Sequence, residues 1–308
     1  MNAIPKSVPF SGIWPALLTP LRADLSLDPV RLVAHARRLI DAGCSGVTPF
    51  GTTGEGPAFG VDERRAALEA LVAGGVPAGR ILASTSCAAL PETVALTRHA
   101  LDLGVQRCMV LPPFYLKGVP DQGIVDSYRY VIDRVADARL RLVLYHIPQV
   151  TAVGLSHGVI GTLRRLYPDT IVAIKDSQCD QAHSVGLAKA FMPGLMVWVG
   201  NELDLPAMAR LGSSGAVSGV ANFMPRTVAA LVGEPDSPRT AERLARVRAL
   251  LEIVGGYAMT PAFKGIMSIV DGDEGWLSVR PPLVPLDGAQ LTRLKQQMTA
   301  FGFDPARD

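Results

Sequence analysis

Short apolar runs alternate along the chain with longer segments whose apolar positions recur every three or four residues. The runs are IWPALL (13–18), GVTPF (46–50), RILAST (80–85), RCMVL (107–111), LVLYH (142–146), IVAIK (171–175), MVWVG (196–200) and GAVSGV (215–220). They lack the polar alternation of a half-exposed antiparallel strand, so each reads as a strand buried on both faces. The intervening segments read as helices. Asp28 is placed to cap the first, Pro29 occupies its first position, and Val30, Val33, Ala36, Leu39 and Ile40 keep helical spacing. Further helices are expected to open near Asp62 and near Pro91, and to follow the runs at 107–111 and 142–146.

Eight strand–helix units on one chain predict an α/β fold, a closed parallel (β/α)8 TIM barrel, which takes about 250 residues. A doubly wound open sheet is the rival, but no G-x-G-x-x-G turn follows the first strand. After Val232 comes the polar turn GEPDSP; beyond it Leu244, Val247, Leu251 and Val254 return to helical spacing, and 287–301 reads as another helix. The expected division is a barrel over 1–234 and a helical C-terminal extension over 235–308, too small to fold alone and packed on the barrel.

Composition narrows the function by exclusion. Lys and Arg number 30 against 28 Asp and Glu, a formal charge of +2, so no basic face for nucleic acid is expected. No uncharged apolar stretch approaches the ~20 residues needed to cross a bilayer. The opening MNAIPKSVPFSG has no apolar run of the kind a signal sequence requires. A cytoplasmic protein without a membrane partner is the expectation. Cys44, Cys87, Cys108 and Cys179 form no C-x-x-C pair and read as reduced, buried structural thiols. His35, His99, His146, His157 and His183 show no metal-ligand spacing, there is no H-E-x-x-H, and no G-x-S-x-G elbow is present, so no metal centre or serine hydrolase is expected.

Barrel active sites form at the C-terminal ends of the strands, which turns strand-end polar residues into candidates. Lys175 closes IVAIKDS; a poorly solvated barrel mouth would favour the free amine that attacks a carbonyl, whereas a surface position or a pairing with Asp176 would make it structural. The turn GTTGEG (51–56) offers backbone N–H groups and the hydroxyls of Thr52 and Thr53 to a small carboxylate, or else caps the next helix. Tyr145 ends LVLYHIP, where its hydroxyl could relay protons or bond a backbone group. Tyr115, in PPFYLKG (112–118), reads on spacing as an aromatic anchor at an interface.

Together these motifs resemble the family of dihydrodipicolinate synthase and N-acetylneuraminate lyase. The resemblance runs from GIWPALLTP and GCSGVTPFGTTGEGPAF through VLPPFY, LYHIP and IVAIKDS to VGNE and GAVSGV, and on to AFKGIMSIVDG and VRPPLVPL in the tail. It implies that Lys175 forms a Schiff base with the keto carbon of pyruvate or a longer 2-keto acid, without metal or organic cofactor. Tyr145 would hydrogen-bond the carbinolamine and carry protons. Thr53 would hold the keto-acid carboxylate in the turn that includes Gly54, with Thr52 bridging to Tyr145. Tyr115 would cross a subunit interface to complete the relay of a neighbouring site, Gly200 and Val217 would line the pyruvate pocket, and the assembly would be a homotetramer, a dimer of tight dimers.

One departure separates the chain from the synthases of this family. Where they follow Y-N-x-P with an arginine that grips the second substrate's carboxylate, this chain reads YHIPQVT, with His146 for the asparagine and Val150 in the arginine's place. Valine cannot make a bidentate charged contact. Sialic acid lyases typically carry serine at the position of Thr52. The expected function is a Schiff-base-forming aldolase or dehydratase acting on pyruvate or a longer 2-keto acid. Two alternatives stay open: a genuine 4-hydroxy-tetrahydrodipicolinate synthase condensing pyruvate with aspartate semialdehyde, and a non-catalytic keto-acid sensor, against which the presence of both Lys175 and Tyr145 counts. His146, Val150, Asn201, Glu202, Ser218 and Asn222 are the expected second-substrate residues.

Overall fold

The computed structural model describes residues 11–308; residues 1–10, which carry most of the N-terminal stretch read above for targeting, lie outside the described residues. Among the described residues seven strands are formed: Gly12–Pro15 (β1), Leu82–Ser84 (β2), Arg107–Val110 (β3), Arg141–His146 (β4), Ile171–Asp176 (β5), Met196–Val199 (β6) and Gly215–Ser218 (β7). All pair in parallel, in the order β1-β7-β6-β5-β4-β3-β2. The eighth predicted run, 46–50, closes the ring between β1 and β2 through isolated parallel bridges, Ala16 to Thr48 and Val47 to Ile81, rather than as a full strand. Leu17 and Leu82 donate N–H groups to the carbonyls of Thr48 and Val47 (2.9 Å each), so the barrel is closed by backbone hydrogen bonds. The run stops early because Pro49 has no N–H to give and Phe50 turns into the left-handed region (φ 60°).

The helices follow the sequence signals closely. Pro29–Asp41 is capped by Asp28, whose carboxylate accepts the Arg31 N–H (3.0 Å). Val61–Ala73 and Leu90–Asp102 open beside Asp62 and Pro91. In the tail, Thr240–Val254, Met259–Asp271 and Gly288–Phe301 form the helical extension, the last with Asp287 and Gln290 as a capping box. Among the described residues no single helix is long and apolar enough to cross a membrane.

Strand side chains alternate between two faces, and the core divides accordingly. Val143, Tyr145, Ala173, Trp198 and Val217 point into the barrel with Trp14 and Met109. Leu142, Leu144, Ile174, Val197 and Ala216 point outward under the helices. The cysteines follow this division only in part. Cys44 and Cys108 are buried, and burial pushes both thiols up to about 12. Cys87 is half-buried and Cys179 exposed, which corrects the expectation of four buried thiols: Cys179 sits in the turn after β5, at φ 61°.

Asn222, expected at the second-substrate pocket, is instead fully buried in a structural knot. Its Oδ1 accepts the Leu18 N–H (3.1 Å) and faces His35 Nε2 (2.9 Å), while its amide donates to the carbonyls of Ala16 (2.9 Å) and Gly219 (2.8 Å). All four hydrogen-bonding positions of the side chain are filled. Asn222→Ala leaves several buried polar groups without partners, so denaturant melts should show a loss of about 3 kcal/mol or more of unfolding free energy. A loss under about 1 kcal/mol would mean that water replaces the amide there.

Candidate active site

The register of β4, β5 and β6 sets Tyr145, Lys175 and Trp198 side by side on the inner face. Lys175 is buried at the barrel mouth, its Nζ 4.3 Å from the centroid of the Tyr145 ring. Its sequence neighbour Asp176 necessarily points the other way. There Asp176 Oδ2 meets His183 Nδ1 (2.9 Å) and accepts from Ser184 Oγ (2.7 Å), so the pairing of Lys175 with Asp176 that would have made the lysine structural does not form. Gly200, at the end of β6, leaves room for the lysine chain: a Cβ there would stand 3.2 Å from Lys175 Cε and 2.3 Å from Ser177 Oγ. Gly200→Ala should therefore push Lys175 from its position and slow imine formation roughly 10–100-fold, since displacements near 1 Å cost on the order of a hundredfold. Stopped-flow measurement of pyruvate imine formation checks this, and an unchanged rate would show that Ser177 and the lysine chain move aside freely.

The turn after Thr48 carries the other predicted groups. Thr52 Oγ1 and the Tyr145 hydroxyl lie 3.1 Å apart. Thr53 is buried, and its hydroxyl lies close enough to Gly219 that a Cβ there would stand 3.4 Å from Oγ1. Gly54 presses against the segment that follows β1, where a Cβ would lie 2.5 Å from the Leu17 carbonyl, and its own carbonyl accepts from Thr19 Oγ1 (2.7 Å). Val217 is buried inside the barrel opposite Trp14. Tyr115 stands outside this group, 78% exposed on the loop after β3, and Val150 lies at the rim, 57% exposed.

The turn is held by residues outside the predicted set. Phe50 and Glu55 bracket it in the left-handed region (φ 60° and 56°), where side chains other than glycine are strained. Glu55 is anchored from the tail: its Oε1 lies 2.5 Å from Lys264 Nζ, and its Oε2 accepts the Arg280 N–H (3.3 Å). The Lys264–Glu55 pair is buried, and Lys264 Nζ also donates to the Ser278 carbonyl (2.8 Å). Burial lowers the Lys264 ammonium from its usual range, opposed by the Glu55 carboxylate beside it. A lysine inside the otherwise apolar run PAFKGIMSIV was the available signal, since such a charge demands a partner.

Several second-substrate expectations need correction, for one reason: strand alternation and local capping direct these side chains elsewhere. His146, adjacent to Tyr145, points out of the barrel. Its Nδ1 accepts the Leu155 N–H (2.9 Å), its Nε2 meets Gln178 Oε1 (2.8 Å), and burial lowers it from the usual histidine value. Glu202 accepts from Ser218 Oγ (2.6 Å), and Asn201 caps the turn at 202–204 by accepting the Leu203 N–H (3.4 Å). Among the described residues one group could suit a metal ion, His146 with Asp176 and His183, whose ligand atoms lie within 4.8 Å of one another. The two imidazoles stack face to face at 4.8 Å, and His146 uses both ring nitrogens in hydrogen bonds, so no lone pair of that ring is directed at an ion. The group braces β4 and β5 against helix Gln181–Phe191.

Above Thr52 and Tyr145 opens a cavity of about 570 Å³. Phe50, Leu111, Phe114, Val150, Pro281 and Leu283 supply much of its wall, and Glu55 and Arg280 also belong to the lining.

Residues 9–301 match the model of the dihydrodipicolinate synthetase family. A DapA-like lyase of Chloroflexus aurantiacus is 34% identical over 287 residues, covering 92% of this chain and 94% of that protein. Among solved structures, a dihydrodipicolinate synthase from Agrobacterium tumefaciens is 33% identical with a TM-score of 0.87, over 94% of this chain and 99% of that one. The YagE protein of Escherichia coli, solved in complex with pyruvate, is 25% identical with a TM-score of 0.86, over 96% of this chain and all (100%) of that one. The chain belongs to the dihydrodipicolinate synthetase family, and is a lyase of that family on its TIM barrel.

Proposed function

We propose that this family member joins Lys175 covalently to pyruvate or a longer 2-keto acid and uses the imine to make or break a bond at the adjacent carbon. One observation carries the reading. Two lysines are buried among the described residues, and they differ: Lys264 is held by Glu55, whereas Lys175 faces the barrel mouth beside the Tyr145 ring without an ion pair. A buried amine without a carboxylate partner is poorly explained by stability and well explained by nucleophilic chemistry. That the related YagE protein was solved with pyruvate supports the choice of ligand.

In this reading the Lys175 nitrogen adds to the keto carbon, and Thr53 with its turn holds the carboxylate. Tyr145 passes a proton to the carbinolamine oxygen, which leaves as water. The protonated imine then accepts the electron pair released when a proton or an aldehyde departs from the adjacent carbon, and the enamine so formed returns that pair to a new bond or uses it to expel a β-hydroxyl as water. Aldol cleavage, condensation and dehydration share this half. Tyr115, on its exposed loop, would reach a neighbouring subunit of a cytoplasmic homotetramer. Borohydride reduction in the presence of pyruvate should add a reduced pyruvyl group at Lys175, located by mass spectrometry of the digest. Labelling at Lys264 or Lys189 instead, or at no lysine, would overturn the reading.

A further inference from the structure

We infer that the cavity beside Tyr145 takes the tail of an uncharged, apolar second substrate, an alkyl or aryl aldehyde or the 2-keto acid built from it. This rests on the imine reading above, because it names what lies beyond the keto-acid head. The argument begins with charge. A carboxylate or phosphate carried into a cavity of about 570 Å³ loses hydration and needs a cation in return.

Most of the hydrogen-bonding capacity of the cations near the cavity is already committed. Arg280 lies in the wall, yet all five of its N–H donors are used. Nε gives to the Leu25 carbonyl (3.0 Å), and Nη1 to the Ala58 carbonyl (2.8 Å) and Glu63 Oε2 (2.9 Å). Nη2 gives to the Leu25 carbonyl (2.9 Å) and to Glu63 Oε1. Lys264 is closed off by Glu55 and the Ser278 carbonyl. Arg64, behind Phe50 and outside the cavity lining, donates through its terminal nitrogens to the carbonyls of Ser84 and Ser86, and only its buried Nε is left without a partner. Lys117, on the rim, ties the loop carbonyls of Phe114 and Thr151 together and is otherwise in solvent, where a single ammonium attracts an anion weakly. The position from which a charge could have entered is Val150.

A polyhydroxylated tail fares little better. Ser86 Oγ already accepts the Leu111 N–H (2.8 Å), and Thr151 Oγ1 is bound to the Ile147 (3.1 Å) and Val153 (2.7 Å) carbonyls. Beside the hydroxyls of Ser84, Ser86 and Thr260, the wall is mostly aromatic and aliphatic surface from Phe50, Leu111, Phe114, Val150, Pro281 and Leu283. Apolar area removed from water is therefore the largest interaction this wall can supply to a tail.

Borohydride trapping tests this without knowledge of the natural reaction. The probes are pyruvate, 4-phenyl-2-oxobutanoate, 2-oxoglutarate and 2-keto-3-deoxygluconate, which share the keto-acid head and differ in the tail. Half-saturation of labelling at Lys175 should come at a concentration on the order of 10–100-fold lower for the phenyl compound than for 2-oxoglutarate or the sugar acid. If pyruvate labels Lys175 and either polar probe labels as readily as the phenyl one, the inference falls while the imine reading stands. If pyruvate does not label Lys175, the imine reading falls and takes this inference with it. Val150→Arg changes an exposed rim position and should shift the preference toward 2-oxoglutarate by about tenfold or more. An unaltered preference in that variant would show that tails do not occupy this cavity.

Discussion

Replacement of Lys175 by alanine is expected to abolish borohydride trapping and to lower turnover by about 10⁴-fold or more, the scale of losing a covalent nucleophile. Two physical effects compete in the stability of the variant. Deleting the lysine stem removes about three methylenes of buried chain, at roughly 0.8 kcal/mol each. Against that, the wild-type fold holds a buried amine with no carboxylate beside it, and its removal relieves a desolvation cost of similar size. The two nearly cancel, so unfolding free energy should change by less than about 2 kcal/mol. Lys175→Met separates the effects further, because it refills the space at the end of β5 and still lacks the amine. Both variants should stay folded and inactive. A folded Lys175→Met protein that keeps a tenth or more of wild-type turnover would remove Lys175 from the reaction. Lys264→Met should behave in the opposite way. It strands the Glu55 carboxylate in the interior and loosens the turn that bears Thr52 and Thr53, so loss of stability comes first there.

Much of this site is written in short-range patterns. Asp28 and Pro29 announce a helix start by cap chemistry alone, and the doubly buried strands announce a parallel barrel because polar alternation is missing. The position of Lys175 at a strand end follows from the run that precedes it. The face on which each strand-end residue falls was also legible, had the period of two been applied strictly. Tyr145 and His146 are consecutive in one strand and cannot both enter the barrel, and with Tyr145 inside, His146 must lie among the helices. The same rule separates Lys175 from Asp176. Other features depend on contacts between remote parts of the chain and have no local signature. Asn222 fills its hydrogen bonds with Ala16, Leu18 and His35, and Glu55 finds Lys264 and Arg280 in the tail. A strand assigned to 46–50 overshoots because apolar character persists through Pro49 and Phe50, while the backbone of Phe50 is already turning.

Tyr145→Phe should reduce turnover by roughly 10²–10⁴, the range for a positioned acid–base group, with little effect on folding. The ring is buried inside the barrel and its packing is retained by phenylalanine, as is the aromatic face 4.3 Å from Lys175 Nζ. What disappears is the hydroxyl, 3.1 Å from Thr52 Oγ1. Carbinolamine dehydration needs a proton delivered to the departing oxygen, and in the proposed reaction that proton comes from this hydroxyl, on the ring that neighbours the amine. The equilibrium amount of imine is fixed by Lys175 and the carboxylate turn, so the borohydride-trapped fraction at long incubation should remain near wild type. The rate of its appearance should fall with turnover. That split between rate and extent is something a loss of packing cannot produce. Thr52→Val provides the complementary measurement. If Thr52 acts by orienting the tyrosine hydroxyl, its loss should slow the reaction by about tenfold, and combined with Tyr145→Phe it should add almost nothing, because the two act through one hydrogen bond. Additive losses in the double variant, or wild-type imine formation in Tyr145→Phe, would assign the proton transfer to another group and leave the tyrosine a packing role.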